Sequence, residues 1–188
     1  PTTAEGTYSV TATVTNSSGM STSDQTNNEL IIDTTAPATP TVISQTTNDT
    51  TPVITGKATV AAGETLTVEV NGATYTVTPD SNGDWSIDTA TATPTSGTLG
   101  TFVDGQSYPV TAKVTDAAGN TASDATTNEL TIDTTAPTAP SVISQSTNDT
   151  TPVIQGIATV KAGETLTVTV NGATYTVVPD ANGNWSVD

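Results

Sequence analysis

Nineteen acidic residues, three lysines, no histidine and no cysteine leave oxygen as the only abundant reactive or ligating atom type in this 188-residue chain. The acids recur in short polar runs. Asp33 and Asp133 open DTTAP, Asp80 and Asp180 lie in PDSNG and PDANG, and Asp116 and Asn120 bound DAAGN. Asp49 sits in NDT and Asp104 in DGQSY. Carboxylates with amide and backbone carbonyls are the ligands of Ca²⁺, which takes six to eight oxygens at about 2.3–2.6 Å. Thiolate and imidazole sites are excluded, and with them the commonest general base. The net charge of −16 repels nucleic acid and anionic membranes and favours hydrated cations. An enzyme would have to work with carboxylates alone, as glycosidases do, and the only stretch long enough to build a cleft is Thr89–Thr101, which reads as a flexible Thr/Gly loop. No apolar run approaches the length of a membrane-spanning helix, so membrane insertion is not expected, and any targeting signal is expected outside this stretch.

These runs are placed by a repeat. Residues 33–88 return at 133–188 with twelve substitutions, and YSVTATVTNSSGMSTSDQTNNELIID returns as YPVTAKVTDAAGNTASDATTNELTID, a period of 100 residues. That is the size of an independently folding domain, not of a solenoid coil. One complete unit, 35–134, is flanked by 1–34, matching the last third of the unit, and by 135–188, matching its first half. Either the chain is part of a longer array or its two incomplete ends complete each other head to tail between molecules.

Apolar residues alternate with Thr and charge, the period of strands with one buried face. Leu66, Val68 and Val70 point inward against Thr65, Thr67 and Glu69; Tyr108, Val110, Ala112 and Val114 point inward against Pro109, Thr111, Lys113 and Thr115. Asn71-Gly72 is a two-residue type I′ hairpin signal. The unit then reads as seven strands: A near 41–45, B 52–58, C 64–70, D 73–78, E 84–88, F 107–115 and G 121–132. Seven short strands in about 100 residues predict an all-β fold of tandem immunoglobulin-like β-sandwich domains. The 1–34 stretch supplies strands F and G of one domain, and 135–188 supplies A to E of another. Asp104–Tyr108 fits a tyrosine corner, and Glu5-Gly6-Thr7-Tyr8 is the same device one residue shorter. Trp85 and Trp185 are expected as core anchors, not sugar platforms. Asp24, Asp124, Glu29 and Glu129 are expected as a charged face of strand G that discourages stray edge pairing.

Threading these strands gathers acids at the two poles. Asp33, Asp116, Asn120, Asp80, Asp84 and Glu64 fall at the pole facing the preceding repeat. Asp49, Asp104 and Asp133 fall at the other, facing Glu164, Asp180 and Asn182 of the next. Asp116 and Asp80 could instead be Asx-turn residues. For 79–84 the turn is the preferred reading, because Asp84 becomes Asn184. For Asp33 and Asp133 coordination is preferred, because like charges meeting at a junction repel without a cation.

DTTAP at each junction, the DGxxY corner, VTDAAGN between F and G and D(S/A)NG(D/N)WS before E together resemble the bacterial Ig-like extender repeats of giant, type I-secreted (RTX-type) biofilm adhesins. The resemblance covers the whole chain. It implies an extracellular segment at the bacterial cell surface whose neighbouring repeats, rigidified by Ca²⁺ at their junctions, project a distal binding region in cell adhesion and biofilm. In the first fragment Asn16-Ser17-Ser18-Gly19-Met20 replaces DAAGN, a departure from that pattern. The competing expectation is a carbohydrate- or protein-binding Ig-like module, which would need loops that differ between copies. The visible differences lie mostly on strand faces.

Overall fold

Residues 3–188 are described by a computed structural model, in which the chain separates into two compact units, one ending at Thr134 and the other spanning Thr135–Asp188. The secondary structure assigned among the described residues consists of strands and turns.

The first unit opens with four short strands. β1 (Gly6–Tyr8) pairs antiparallel with β4 (Leu30–Ile32), and β2 (Thr13–Thr15) with β3 (Ser21–Ser23). The complete repeat follows. β5 (Thr41–Val42), β7 (Val53–Lys57) and β10 (Asp84–Asp88) form one antiparallel sheet. The largest sheet runs in the order β11 (Ser96–Gly97), β9 (Ala73–Val77), β8 (Thr65–Val70), β13 (Val110–Thr115), β14 (Thr121–Ser123). A third sheet joins β12 (Ser107–Tyr108), β15 (Leu130–Ile132) and β6 (Gln45–Thr47), with β6 parallel to β15. The inward rows of these sheets meet in one core containing Ile54, Leu66, Val68, Trp85, Val114 and Ile132. This is an immunoglobulin-like sandwich.

The alternation in the sequence transfers directly to the faces. Leu66, Val68 and Val70 are buried while Thr65 and Glu69 are exposed, and Val110, Ala112 and Val114 are buried against exposed Thr111 and Lys113. Asn71 and Gly72 take φ values of 45° and 87°, and Asn171 and Gly172 repeat them at 47° and 85°, the left-handed pair that a type I′ turn requires. The Tyr108 hydroxyl accepts the Val103 N–H at 2.8 Å, whereas Tyr8 donates to the Ala4 carbonyl at 2.8 Å. Both corners close, with opposite donation. Trp85 and Trp185 are buried, as core anchors must be.

Four expectations are corrected. Strand A divides into β5, bonded to β7, and β6, bonded to β15, so the chain switches sheets between Val42 and Gln45. Strand F breaks at Pro109, which has no N–H to donate. Strand G is interrupted between Ser123 and Leu130, where Asn128 adopts φ 62°. Thr89–Thr101 is an ordered cover, not a flexible loop: β11 extends the large sheet beside β9, the Thr89 hydroxyl donates to the Pro52 carbonyl at 2.8 Å, and Phe102 just beyond is buried against Tyr108 with ring centroids 4.9 Å apart.

A fifth correction concerns Glu129. It is not part of a charged face but is 1% exposed, with Oε2 accepting the Val110 N–H at 2.9 Å. Glu29 makes the same bond to the Val10 N–H at 2.9 Å in the first fragment, where it stays exposed.

In the second unit β16 (Ser141–Val142), β17 (Ile154–Ile157) and β20 (Asn184–Val187) form one sheet, and β18 (Leu166–Val170) and β19 (Ala173–Val177) another. Its smaller core centres on Ala158, Leu166, Val168 and Trp185.

Candidate functional site

The polar geometry of the first junction is built by the turn between β13 and β14. Asp116 Oδ1 accepts the Ala118 and Asn120 N–H groups at 2.9 and 2.8 Å, an Asx turn that fixes the carboxylate. Asn120 then donates its side-chain amide to Asp116 Oδ2 at 2.9 Å and to the Asp33 carbonyl oxygen at 3.0 Å. A residue of the complete repeat thereby reaches the last residue before its linker. The Asn120 side chain and the turn N–H groups hold the Asp116 carboxyl below the ordinary carboxylate range.

The linker is held a second time by Glu5. Its two carboxylate oxygens accept the hydroxyls of Thr34 and Thr35 at 2.8 and 2.7 Å, and these bonds, Thr35 first, lower its pKa. The position has a counterpart one repeat later. Asp104, likewise just before the glycine of a tyrosine corner, accepts the Thr134 N–H at 2.6 Å. Sequence reasoning missed Glu5, and the signal available was its place in the shortened corner motif.

At the opposite end the Asp133 N–H donates to the Thr47 carbonyl at 2.9 Å, bringing Asp133 beside the 46–51 loop. In that loop Asp49 Oδ1 accepts the Thr51 N–H at 2.8 Å and the Thr51 hydroxyl at 3.0 Å. Asp104, tied to Thr134, shares this end. Asp49, Asp104 and Asp133 thus fall at one pole and Asp33, Asp116 and Asn120 at the other.

Asp80 and Asp180 occupy twin turns. Asp80 Oδ1 accepts the Asp84 and Asn82 N–H groups at 2.9 and 2.8 Å, and Asp180 Oδ1 those of Asn184 and Asn182 at the same distances. These bonds, led by that from residue 84 or 184, lower both carboxyls. Asp84 pairs with Lys57 at 2.6 Å on the exposed face. Glu64 and Glu164 each cap their own loop through the N–H of residue 61 or 161, at 2.7 and 2.8 Å. Beside each twin turn runs an open groove walled by Leu66 and Asp80, or by Leu166 and Asp180; its lining differs between copies only at Thr78/Val178 and Ser81/Ala181.

Among the described residues no three acidic side chains stand close enough to hold a metal ion between them. What converges at the first junction is one carboxylate, one side-chain amide and one main-chain carbonyl. The carboxylate and the carbonyl offer hard oxygen, the donor type Ca²⁺ takes; both face the Asn120 side-chain NH₂, so Asn120 would present its own Oδ1 to an ion only with the amide turned over.

The sequence profile of the bacterial Ig-like domain matches residues 40–134, half of the chain. The chain belongs to that family. The matched span lies within the repeat unit 35–134, and residues 133–188 repeat the sequence of 33–88 with twelve substitutions. No curated protein sequence matches the chain. A solved structure reported as insight into host cell surface retention of a 1.5-MDa bacterial ice-binding adhesin is similar at 28% identity and a TM-score of 0.39, over 94% of this chain and 60% of that one.

Proposed function

We propose that this chain is a structural, non-enzymatic extender segment of a bacterial cell-surface adhesin, in which bacterial Ig-like domains are joined in series and stiffened at their junctions by Ca²⁺. The observation that carries this reading is the Asn120 amide bonded across the junction to the Asp33 carbonyl, with Glu5 gripping Thr34 and Thr35 on the other side of the linker. A linker held from both sides transmits orientation from one domain to the next, which is what reach requires.

Calcium would be held at one pole by Asp33, Asp116 and Asn120, and at the other by Asp49, Asp104 and Asp133. Its contribution there is charge: it turns the mutual repulsion of carboxylates on a −16 chain into attraction. Asp80 and Asp180 complete the candidate set; each of their turns, like that of Asp116, fixes one carboxylate oxygen with two backbone donors.

The test is a thermal melt of the 188-residue chain across a Ca²⁺ series with a chelator control, paired with small-angle scattering of a protein of several complete repeats. Free Ca²⁺ about 100-fold above Kd should add about 2.7 kcal/mol per site and lengthen the maximum dimension of the array. Asp116→Ala should lose that gain, and Asp124→Ala should keep it. An unchanged melting temperature and dimension would reject the calcium-stiffened rod, and equal losses in the two variants would reject this ligand assignment.

A further inference from the structure

The sheet of β16, β17 and β20 turns an apolar patch to solvent on its outer face. Its register is set by β17: Ile157 lies between Ser141 and Asn184, and Gln155 stands beside Ser186. The ladder continues past β16, where the Ile143 N–H donates to the Gln155 carbonyl at 2.8 Å and the Gln145 amide to the Val153 carbonyl at 3.0 Å. Side chains alternate across a strand, so Val153, Gln155 and Ile157 share the side turned away from buried Gly156 and Ala158. Ile143 sits diagonally between Val153 and Ile157, within reach of both. The three are 55%, 42% and 51% exposed for Ile143, Val153 and Ile157.

The complete repeat carries the same face. There Ile43 and Val53 are exposed to nearly the same degree, at 53% and 48%, so the exposure belongs to the outer side of the sheet and not to what lies against its inner side. The third position is the one that changes. Lys57, ion-paired with Asp84 on that face, is replaced by Ile157 and its partner by Asn184. The exchange removes both charges and joins three aliphatic side chains into one patch.

We propose that this outer face docks against the same face of a second copy of the chain, with the strands of the two copies antiparallel. The occupant is argued from charge. Two copies of a −16 chain repel over most of their surface, whereas the rows through Ile157 and Ile143 carry no ionisable side chain, and the carboxylate at the margin is Asp188, just past β20. A basic partner, drawn to the acids elsewhere, has little to bind here. The orientation is argued from the pattern. A two-fold axis across the strands at Ile143 sets Ile157 of each copy against Val153 of the other and Ile143 against itself, while Asp188 meets Asn184 and not a second carboxylate. An axis along the strands would lay Ile143 over Ser186. Three strands about 4.8 Å apart, over five residues of about 3.3 Å, cover about 240 Å² a side. That is short of the roughly 600 Å² a side of a small standalone complex, so the contact is weak and reversible.

The experiment follows the backbone amide resonances of the 188-residue chain over a dilution series reaching about 1 mM. Those of Ile143, Gln155 and Ile157 should move with concentration. Ile157→Lys combined with Asn184→Asp installs the ion pair that β7 and β10 carry natively, so the fold is kept, and the midpoint of that movement should rise about tenfold or more. Orientation is read by disulfide capture in a chain that has no cysteine of its own. Ile143→Cys should form a disulfide-linked dimer under mild oxidation, and Val178→Cys, 88% exposed but off this face, should form far less. Ile157→Cys mixed with Val153→Cys should cross-link more than Ile157→Cys with itself. Resonances that ignore concentration would leave the face to a different partner or to water and overturn the proposal. So would a Lys–Asp variant that associates like its parent, equal capture at positions 143 and 178, or self-capture at 157 that matches the mixed pair.

Discussion

Glu129 decides how the two segments of the F–G half are tied. A buried carboxylate with one oxygen on the Val110 N–H replaces a missing backbone acceptor, and Asn128 at φ 62° turns the chain just before it. Truncation to alanine strands that buried N–H, which costs about 1–3 kcal/mol before any cavity is counted. We therefore expect Glu129→Ala to lower the stability of the first unit by at least that amount, measured by denaturant titration of Trp85 fluorescence in a Trp185→Phe background. Glu29→Ala, at the exposed copy of the same bond, should cost clearly less. None of this was legible from the sequence, because NEL reads the same in both copies and a glutamate beside a strand reads as surface. The exposed pair Lys57–Asp84 was half legible. Its replacement by Ile157 and Asn184 was visible as two separate substitutions, but only the pairing of residues 57 with 84 and 157 with 184 shows that they are one change.

The strands separate what period can and cannot reveal. Faces were legible, since alternation at Leu66, Val68 and Val70 is a local property that survives into the sheet. Ends were not. Gln45–Thr47 and residues 145–147 share nearly the same sequence, yet only the first is a strand, so its existence is a property of β15 and not of its own residues. Gly56 shows the same limit within β7. A Cβ there would overlap the Thr41 carbonyl and the Trp85 indole, and Gly156 stands in the same relation to Ser141 and Trp185. The sequence placed both tryptophans in the core but gave no sign that each needs a glycine on the opposing strand. Gly56→Ala should cost about 1–3 kcal/mol or more through this overpacking and perturb Trp85 fluorescence, whereas Thr55→Ala next to it should do neither. Equal effects would show that the close approach is not limiting.

Across the described residues burial is uneven. Leu66 and Val68 are 1% and 0% exposed, while Leu166 and Val168 are 7% and 8% exposed in a core of fewer residues. Amides of β18 should therefore exchange with solvent faster than those of β8, because less apolar surface must be uncovered to open them. Amide exchange resolved by residue checks this, and equal protection at Val68 and Val168 in dilute solution would contradict it. The poles were partly legible at this scale: threading put Asp33 with Asp116 and Asn120, and Asp49 with Asp104 and Asp133, where the structure has them. The turn and linker bonds that those acids make were not, since an aspartate that caps a turn and one that could bind an ion occupy the same kinds of loop.

The parallel pairing of β6 with β15 also governs how a domain responds to tension. Its chain enters near Gln45 and leaves past Ile132, and the register sets Gln45 against Leu130 and Thr47 against Ile132. A pull on the two ends therefore slides these strands along each other in opposite directions. The bonds from Gln45 N–H to the Glu129 carbonyl and from Asp133 N–H to the Thr47 carbonyl lie across that direction and are loaded in shear, together. A hairpin pulled from its open end unzips one bond at a time, each contributing only about 1 kcal/mol net. Here, beyond the two-residue β5, the whole ladder must fail at once, so a domain of modest equilibrium stability can still resist a sudden load.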